Sequence, residues 1–306
     1  MRSYTIVGTG ALGSLYGSRL AAAGHPVRFL GRTDVEVLKR DGLTVSVPEG
    51  DALRLDTVEI YRDPTDVPPS DVIVIALKAV VPNPAIGPLA MLSGGSTAVV
   101  TLQNGLGIED DLADAANDRP LVGALCFTAA NRTAPGHVEL LGGGQITMAP
   151  HHAEYAGAVE LVAADFAGAQ TPVTVEDDLV TARWKKVLWN APFNTLSVLL
   201  GATSAELLAD PDGTALVRSV MDEVHAAALA TGSLVPETYV EELIEMTRGL
   251  PPYQTSMGLD ARAGRPLETE VIVGRPVRAG QAAGVPMDAT ATLLRQLLLV
   301  GRRRAS

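Results

Sequence analysis

An α/β domain built on a parallel sheet, followed by an all-helical C-terminal domain, is the fold class this sequence predicts. Three observations carry that expectation. A β-branched strand runs straight into a glycine turn and an alanine-rich helix near the start of the chain. Strand-like apolar runs then alternate with helical segments as far as residue 176. From residue 177 the apolar spacing is helical almost to the end, with side chains three and four apart sharing one face. The expected domains are therefore residues 1–176 and 177–306.

The opening βα unit is the most specific of these signals. Tyr4, Thr5, Ile6 and Val7 read as a buried strand and lead into Gly8-Thr9-Gly10-Ala11-Leu12-Gly13. In a dinucleotide-binding fold of Rossmann type, a glycine at Gly8 serves the tight turn and one at Gly10 lets the backbone approach a pyrophosphate. Gly13 lets the following helix, residues 11–23 closed by Gly24, pack against the sheet. The helix start then directs its N–H groups and positive dipole end at phosphate. Such glycine spacing is common, and a turn without a ligand is the alternative. Strand, turn and helix in this order favour Gly8, Thr9, Gly10, Ala11, Leu12 and Gly13 as cofactor-binding residues.

A second strand, 27–30, ends at Gly31-Arg32. An acidic residue at this point holds the ribose 2′-hydroxyl of NAD, whereas an arginine accommodates a 2′-phosphate. Arg32, with Thr33 as helper, favours NADPH, while Asp34 keeps an NAD reading open. After a helix at 35–40, residues 43–47 and 53–60 alternate like an inserted hairpin or extra strands. Residues 71–77 form a near-continuous apolar run, as in a central parallel strand buried on both faces, and end in Lys78. A helix at 85–92 and a strand at 97–102 lead to Gln103-Asn104-Gly105. Ligands of open parallel sheets collect beyond the carboxyl ends of the strands, and Gly8, Arg32, Lys78 and Asn104 all fall there. Further strands are expected at 122–130, 137–141 and 145–148, with Gly142-Gly143-Gly144 as a hairpin turn. A helix at 156–166 and a strand at 173–175 close the domain.

Bulk properties exclude several function classes. At 306 residues the chain can support two cores. Its 47% hydrophobic and 19% charged content is that of a soluble globular protein. No apolar run has the length of a membrane span, and Met1-Arg2-Ser3 enters a strand, not a signal peptide. The single cysteine, Cys126, stands in an apolar run and reads as a packed thiol, so cytoplasmic residence is expected. A net charge of −11 argues against nucleic acid as a partner. The five histidines lack ligand spacing with acids, so no metal site is expected. Arg302-Arg303-Arg304 reads as a solvated helix end beside the negative pole of its dipole.

The helix expected at 177–200 carries the chemistry. Lys186, Asn190 and Asn194 are four apart and form one polar stripe on an otherwise apolar helix. A buried ammonium beside two carboxamides needs partners, which a polar ligand would supply; a solvated stripe is the alternative. Pro192 removes the N–H that would bond the Leu188 carbonyl, which predicts a kink or local opening. Only four of the 24 basic residues are lysines, Lys39, Lys78, Lys185 and Lys186, and lysine, unlike arginine, can release a proton in a protein. Helices are also expected to open at Asp210-Pro211, at Val235-Pro236-Glu237 and at Glu268, the last running to 283 before Gly284. In the cluster Tyr253-Gln254-Thr255-Ser256-Met257, Ser256 stands near a helix start, as Glu268 does further on. Both suit capping, with a ligand contact as the second reading.

Taken together these segments resemble the ketopantoate reductase family. The resemblance spans nearly the whole chain: Gly8 to Gly13, Leu77-Lys78-Ala79, Gln103-Asn104-Gly105, Trp184-Lys185-Lys186 with Asn190 and Asn194, Thr255-Ser256-Met257, Glu268 to Gly274, and Gly284-Val285-Pro286. It implies a Rossmann-type domain joined to a helical one, and NADPH-dependent reduction of the ketone of ketopantoate on the way to pantothenate and coenzyme A. Lys186 would be the general acid that protonates the ketone oxygen, and Glu268 would hydrogen-bond the substrate hydroxyl and help hold the ligands. Asn190 and Asn194 would fix the substrate, with Ser256 on its carboxylate. Asn104 and Lys78 would line the nicotinamide end, and Arg32 would face the 2′-phosphate. The implied partner is a small 2-keto acid, without nucleic acid or membrane; a homodimer is possible. Two departures bear on the substrate pocket: Thr195 stands where the family commonly has proline, and Ser204 where well-known members have an asparagine that touches substrate. An NAD(P)-dependent reductase of another branched 2-keto acid is therefore the alternative within the class. A noncatalytic nucleotide sensor is the alternative outside it, and it has no use for a proton donor at Lys186.

Overall fold

Residues 1–48, 50–92, 98–250, 252 and 254–305 are described by the computed structural model, and they divide into two units. Unit 1 holds Met1–Lys78, Asn83–Gln103 and Ile108–Leu179; unit 2 holds Ala79–Pro82, Asn104–Gly107 and Val180–Ser306. Of the sequence expectations, Thr97 and Tyr253 lie outside the described residues.

Unit 1 runs β1 (Tyr4–Val7), α1 (Ala11–Ala22), β2 (Val27–Leu30), α2 (Val35–Asp41), β3 (Leu43–Ser46), β4 (Leu53–Leu55), β5 (Glu59–Tyr61), β6 (Val72–Ile75), α3 (Ile86–Met91), β7 (Ala98–Thr101), α4 (Ile108–Ala116), β8 (Leu121–Ala134), β9 (His137–Pro150), α5 (Ala156–Gly168) and β10 (Val173–Val175). All the strands join one mixed sheet in the order β4-β3-β9-β8-β7-β6-β1-β2-β5, with β10 also on β9. The stretch from β8 to β5 is parallel throughout. Every residue of β1, β6 and β7 is buried, which is why these strands read as unbroken apolar runs instead of alternating ones. The core gathers Tyr4, Ile6, Leu15, Tyr16, Phe29 and Phe166 under the helices, and Cys126 belongs to it as a buried thiol.

Two strand expectations are corrected. Residues 53–60 do not form one strand: β4 pairs antiparallel with β3, whereas β5 pairs parallel with β2 at the far edge. Nor do Gly142, Gly143 and Gly144 turn a hairpin. β9 continues through them, and the turn lies at Pro135-Gly136, where Gly136 has φ +73°. The glycines instead mark a bulge, with the pairing with β8 shifting between Phe127 and Thr128. Gly143 sits at φ +69°, and a Cβ there would stand 2.3 Å from the Phe127 carbonyl oxygen. A glycine run inside a strand permits such an irregularity as readily as a turn.

Unit 2 is helical: α6 (Leu179–Leu200), α7 (Ser204–Ala209), α8 (Pro211–Ala230), α9 (Tyr239–Arg248), α10 (Ser256–Arg262), α11 (Arg275–Ala282) and α12 (Asp288–Ala305). α8 is central and packs on α7, α9, α11 and α12. Its start follows the expected chemistry, with the Asp210 carboxylate accepting the Gly213 N–H and Pro211 in the first turn. A reciprocal Thr203–Glu206 capping box opens α7. α6 stays helical through Pro192, which supplies no N–H to the Leu188 carbonyl. The helix expected from Glu268 is instead interrupted by a wide π-type turn, Glu270–Gly274, before α11 begins. At the far end Arg304 donates to the carbonyl oxygens of Asp260 and Ala261 near the end of α10, so part of the basic tail satisfies a helix terminus. No helix among the described residues is long and apolar enough to cross a membrane.

Candidate active site

In unit 1 the first turn presents a concave run of backbone groups at the start of α1. Gly10 precedes α1 in extended conformation and no side chain caps the helix start, which leaves the first N–H groups for a ligand. A Cβ on Gly13 would lie 2.0 Å from the Gly8 carbonyl oxygen, whereas a Cβ on Gly10 would meet nothing within 4 Å. Gly13 is thus required by the contact of helix and turn, and Gly10 faces open space. An uncapped helix start beside open space fits the pyrophosphate of a dinucleotide. Thr9 is buried beneath the turn, while Ala11 and Leu12 are partly exposed.

At the end of β2, Arg32 is exposed to solvent. Asp34, two residues on, is buried and ion-paired to Arg132, so its carboxylate is engaged within the protein. Lys78, after β6, is also exposed. Gln103 has a different role: its amide donates to the Leu77 carbonyl at 3.1 Å and to the Asn83 side chain at 3.1 Å, and it accepts from Asn83 at 2.9 Å. The glutamine beside Asn104 therefore ties together the segments that follow two adjacent strands, a role its sequence context did not disclose.

Within unit 2 the polar stripe of α6 is buried, not solvated. Lys186, Asn190 and Asn194 are 9%, 3% and 1% exposed. Apolar residues on the other faces, among them Val187, Leu188, Ala191 and Phe193, exclude water from the helix. The Lys186 ammonium lies 5.8 Å from the centre of the Trp189 ring, within cation–π range. Trp189 in turn stacks on Phe193 and donates its indole N–H to Thr247 at 3.0 Å. Asn190 donates to the side-chain oxygen of Asn104 at 3.4 Å. The Asn194 side-chain oxygen accepts the Met257 N–H at 3.3 Å, beside Ser256. The structure thus pairs Asn104 with Asn190 and brings Asn194 to the segment carrying Ser256.

Ser256 does not cap its helix, and Glu268, at the start of its own, has one carboxylate oxygen engaged by a distant segment. The cap of α10 is Thr255, whose hydroxyl accepts the Gly258 N–H; Ser256 is the first helical residue and only partly buried. The Glu268 carboxylate, 2% exposed, accepts the backbone N–H of Ala79 at 3.0 Å. A hydroxyl or carboxylate near a helix start has several N–H groups in reach, and its neighbours in the fold decide which it takes.

Some residues of this region carry no signal of their own in the sequence. Thr247, which receives the Trp189 indole, and Ser197, which accepts the Gln254 amide at 2.6 Å, are ordinary helix residues until the helices are packed. Arg275 donates to the carbonyl oxygens of Leu106 and Gly107 at 2.8 and 2.7 Å. The buried hydroxyls of Thr195 and Ser204 have no hydrogen-bond partner among the described residues.

Comparison with known proteins agrees in extent with these two regions. The family model for ketopantoate reductase PanE/ApbA matches residues 4–153, and that for its C-terminal domain matches residues 178–300. A 2-dehydropantoate 2-reductase of Nostoc sp. is 38% identical, covering 99% of this chain and 97% of its own. The crystal structure of 2-dehydropantoate 2-reductase from Geobacter metallireducens GS-15 superposes with a TM-score of 0.91 at 36% identity, covering 96% of this chain and 99% of its own. The corresponding protein from Methylococcus capsulatus gives 0.89 at 32% identity, covering 99% and 98%.

Proposed function

Because the chain belongs to the ketopantoate reductase family, we propose that it reduces 2-dehydropantoate to pantoate with NADPH. The observation that carries the mechanism is the buried stripe of α6, an ammonium and two carboxamides withdrawn from water on one helix face. Asn190 and Asn194 are each engaged by one neighbour, Asn104 and the Met257 N–H, and a carboxamide has more hydrogen-bonding capacity than one such contact uses. A keto acid, with its ketone oxygen, hydroxyl and carboxylate, matches a dry row of one ammonium and two carboxamides.

Residues 1–176 hold the cofactor in this scheme, and residues 177–306, with Asn104, hold the substrate. Gly8 to Gly13 would receive the pyrophosphate and Arg32 the 2′-phosphate; the engagement of Asp34 by Arg132 supports NADPH over NADH. When bound, the reduced nicotinamide supplies the hydride to the ketone carbon. The chain's own groups do the rest. Lys186 donates a proton to the ketone oxygen as negative charge develops there, so that the ketone becomes a hydroxyl and the lysine is left neutral until water reprotonates it. Its charge also stabilises that oxygen before transfer, an effect strengthened by the dry surroundings. Asn190, Asn194 and Ser256 orient the acid, and Glu268 accepts from the substrate hydroxyl through its remaining lone pairs.

The test follows loss of reduced-nicotinamide absorbance with purified protein, ketopantoate and either NADPH or NADH. Rapid oxidation of NADPH with a clear preference over NADH is expected. Tight NADPH binding without turnover of ketopantoate would instead transfer the scheme to another branched 2-keto acid. The buried hydroxyls of Thr195 and Ser204, without a hydrogen-bond partner among the described residues and at positions where the family pattern differs, are the observation that favours this second reading.

A further inference from the structure

We infer that Arg275 is a positioning residue for the proposed reduction, acting through the 104–107 segment that carries Asn104. The inference rests on the site assigned above and concerns only groups within unit 2.

The 104–107 segment has almost no structure of its own to hold it. Gly105 and Gly107 both stand at positive φ, +102° and +66°, a conformation that glycine adopts at no steric cost and equally leaves at little cost. Three hydrogen bonds from one short stretch pin the segment. The Leu106 N–H donates to the Val271 carbonyl at 3.0 Å, and Arg275 Nη1 donates to the Leu106 and Gly107 carbonyl oxygens. Gly105 lies so close beneath that stretch that a Cβ would stand 2.6 Å from both Val271 Cβ and its carbonyl oxygen.

The π-type turn Glu270–Gly274 makes this possible. In a regular helix the Val271 carbonyl would be committed to the N–H of Arg275, four residues on. In the wider turn it accepts Leu106, and Arg275 begins α11 with its guanidinium turned to the same loop. Just before the turn, Glu268 holds the Ala79 N–H. One stretch, 268–275, therefore fixes two backbone segments, and Asn104 is presented to Asn190 at 3.4 Å as a result. A contact of this length has little margin, since a further few tenths of an ångström takes it outside hydrogen-bonding distance.

The experiment is a double-mutant cycle between Arg275 and Asn104, joined to amide hydrogen exchange on the full chain. Arg275→Met is expected to lower kcat with ketopantoate roughly tenfold, the equivalent of one released charged hydrogen bond, while the Kd for NADPH stays within about twofold. Arg275→Lys, which keeps the charge and a donor nitrogen on a shorter side chain, is expected to recover part of the loss. Asn104→Ala is expected to lower turnover by itself, and adding Arg275→Met to it is expected to cost little more, because both changes remove the same contact. In the unliganded protein, Arg275→Met is expected to speed exchange of the Leu106 amide while α8 keeps its protection. Multiplicative kinetic losses, or an unchanged Leu106 amide, would overturn the inference. If the wild-type chain fails to turn over ketopantoate, the proposed substrate fails, and Leu106 exchange still decides whether Arg275 holds the segment.

Discussion

The glycine turn of unit 1 and the polar stripe of unit 2 solve opposite problems with opposite materials. In the proposed scheme, recognition at the turn belongs to the backbone, and the steric constraint is written into six consecutive residues, Gly8 to Gly13. On α6 the same scheme gives recognition to side chains, Lys186, Asn190 and Asn194, which are buried among apolar neighbours. A backbone site tolerates no added atoms where chain meets chain. A side-chain site tolerates no lost ones.

Removing the ammonium should have the largest effect. Lys186→Ala is expected to lower turnover by about a thousandfold, within the range for loss of a general acid. Cofactor binding should be retained, as read by reduced-nicotinamide fluorescence; turnover close to wild type would sink the assignment. At the turn, the contrast between its glycines is the sharper test. Gly13→Ala places a Cβ 2.0 Å from the Gly8 carbonyl oxygen and should destabilise the fold by about 1–3 kcal/mol or more, as overpacking does. Gly10→Ala meets nothing in the protein and should leave the melting temperature unchanged while weakening NADPH at least tenfold. Equal losses of stability in the two variants would show that Gly10 has a packing role instead. Arg32→Ala should raise the KM for NADPH by roughly tenfold, about 1.4 kcal/mol, and leave that for NADH unchanged.

How much of this was legible in the sequence follows from the range of each constraint. The turn announces itself because its steric requirements are local, and the parallel sheet because strands buried on both faces read as continuous apolar runs. The stripe is legible too, since a periodicity of four places its members on one face. What escaped depends on partners far away in the chain. That Glu268 also holds the Ala79 N–H, 189 residues away, is invisible in its local sequence. Gly142 to Gly144 look like a turn because the composition of a bulge and a turn is the same, and only pairing with β8 separates them. Arg275 and the π-type turn leave no mark at all in composition or periodicity.

The smallest effect sharpens the comparison from the side of stability. Asp165 is braced by Arg2 at 2.6 Å and by the Tyr4 hydroxyl at 2.6 Å. Burial raises its pKa, but these donors outweigh that and hold it below the usual carboxylate range. A carboxyl depressed in the folded state contributes stability above its unfolded pKa, near 3.9 in order of magnitude, and loses it as pH falls through the folded value. Asp165→Asn should therefore cost about 1 kcal/mol at neutral pH, and the deficit should close in acid. Denaturation of both proteins across that pH range measures it; a deficit that is constant with pH would remove the charge from the explanation.

Both tryptophans of the chain, Trp184 and Trp189, stand on α6 on either side of Lys186. Tryptophan emission from this protein is consequently a signal from one helix. Its wavelength should report the dryness around Trp184, which is 2% exposed. Its intensity should report the ammonium lying over Trp189. A keto acid that engages Lys186 would thus be seen without a label and without turnover.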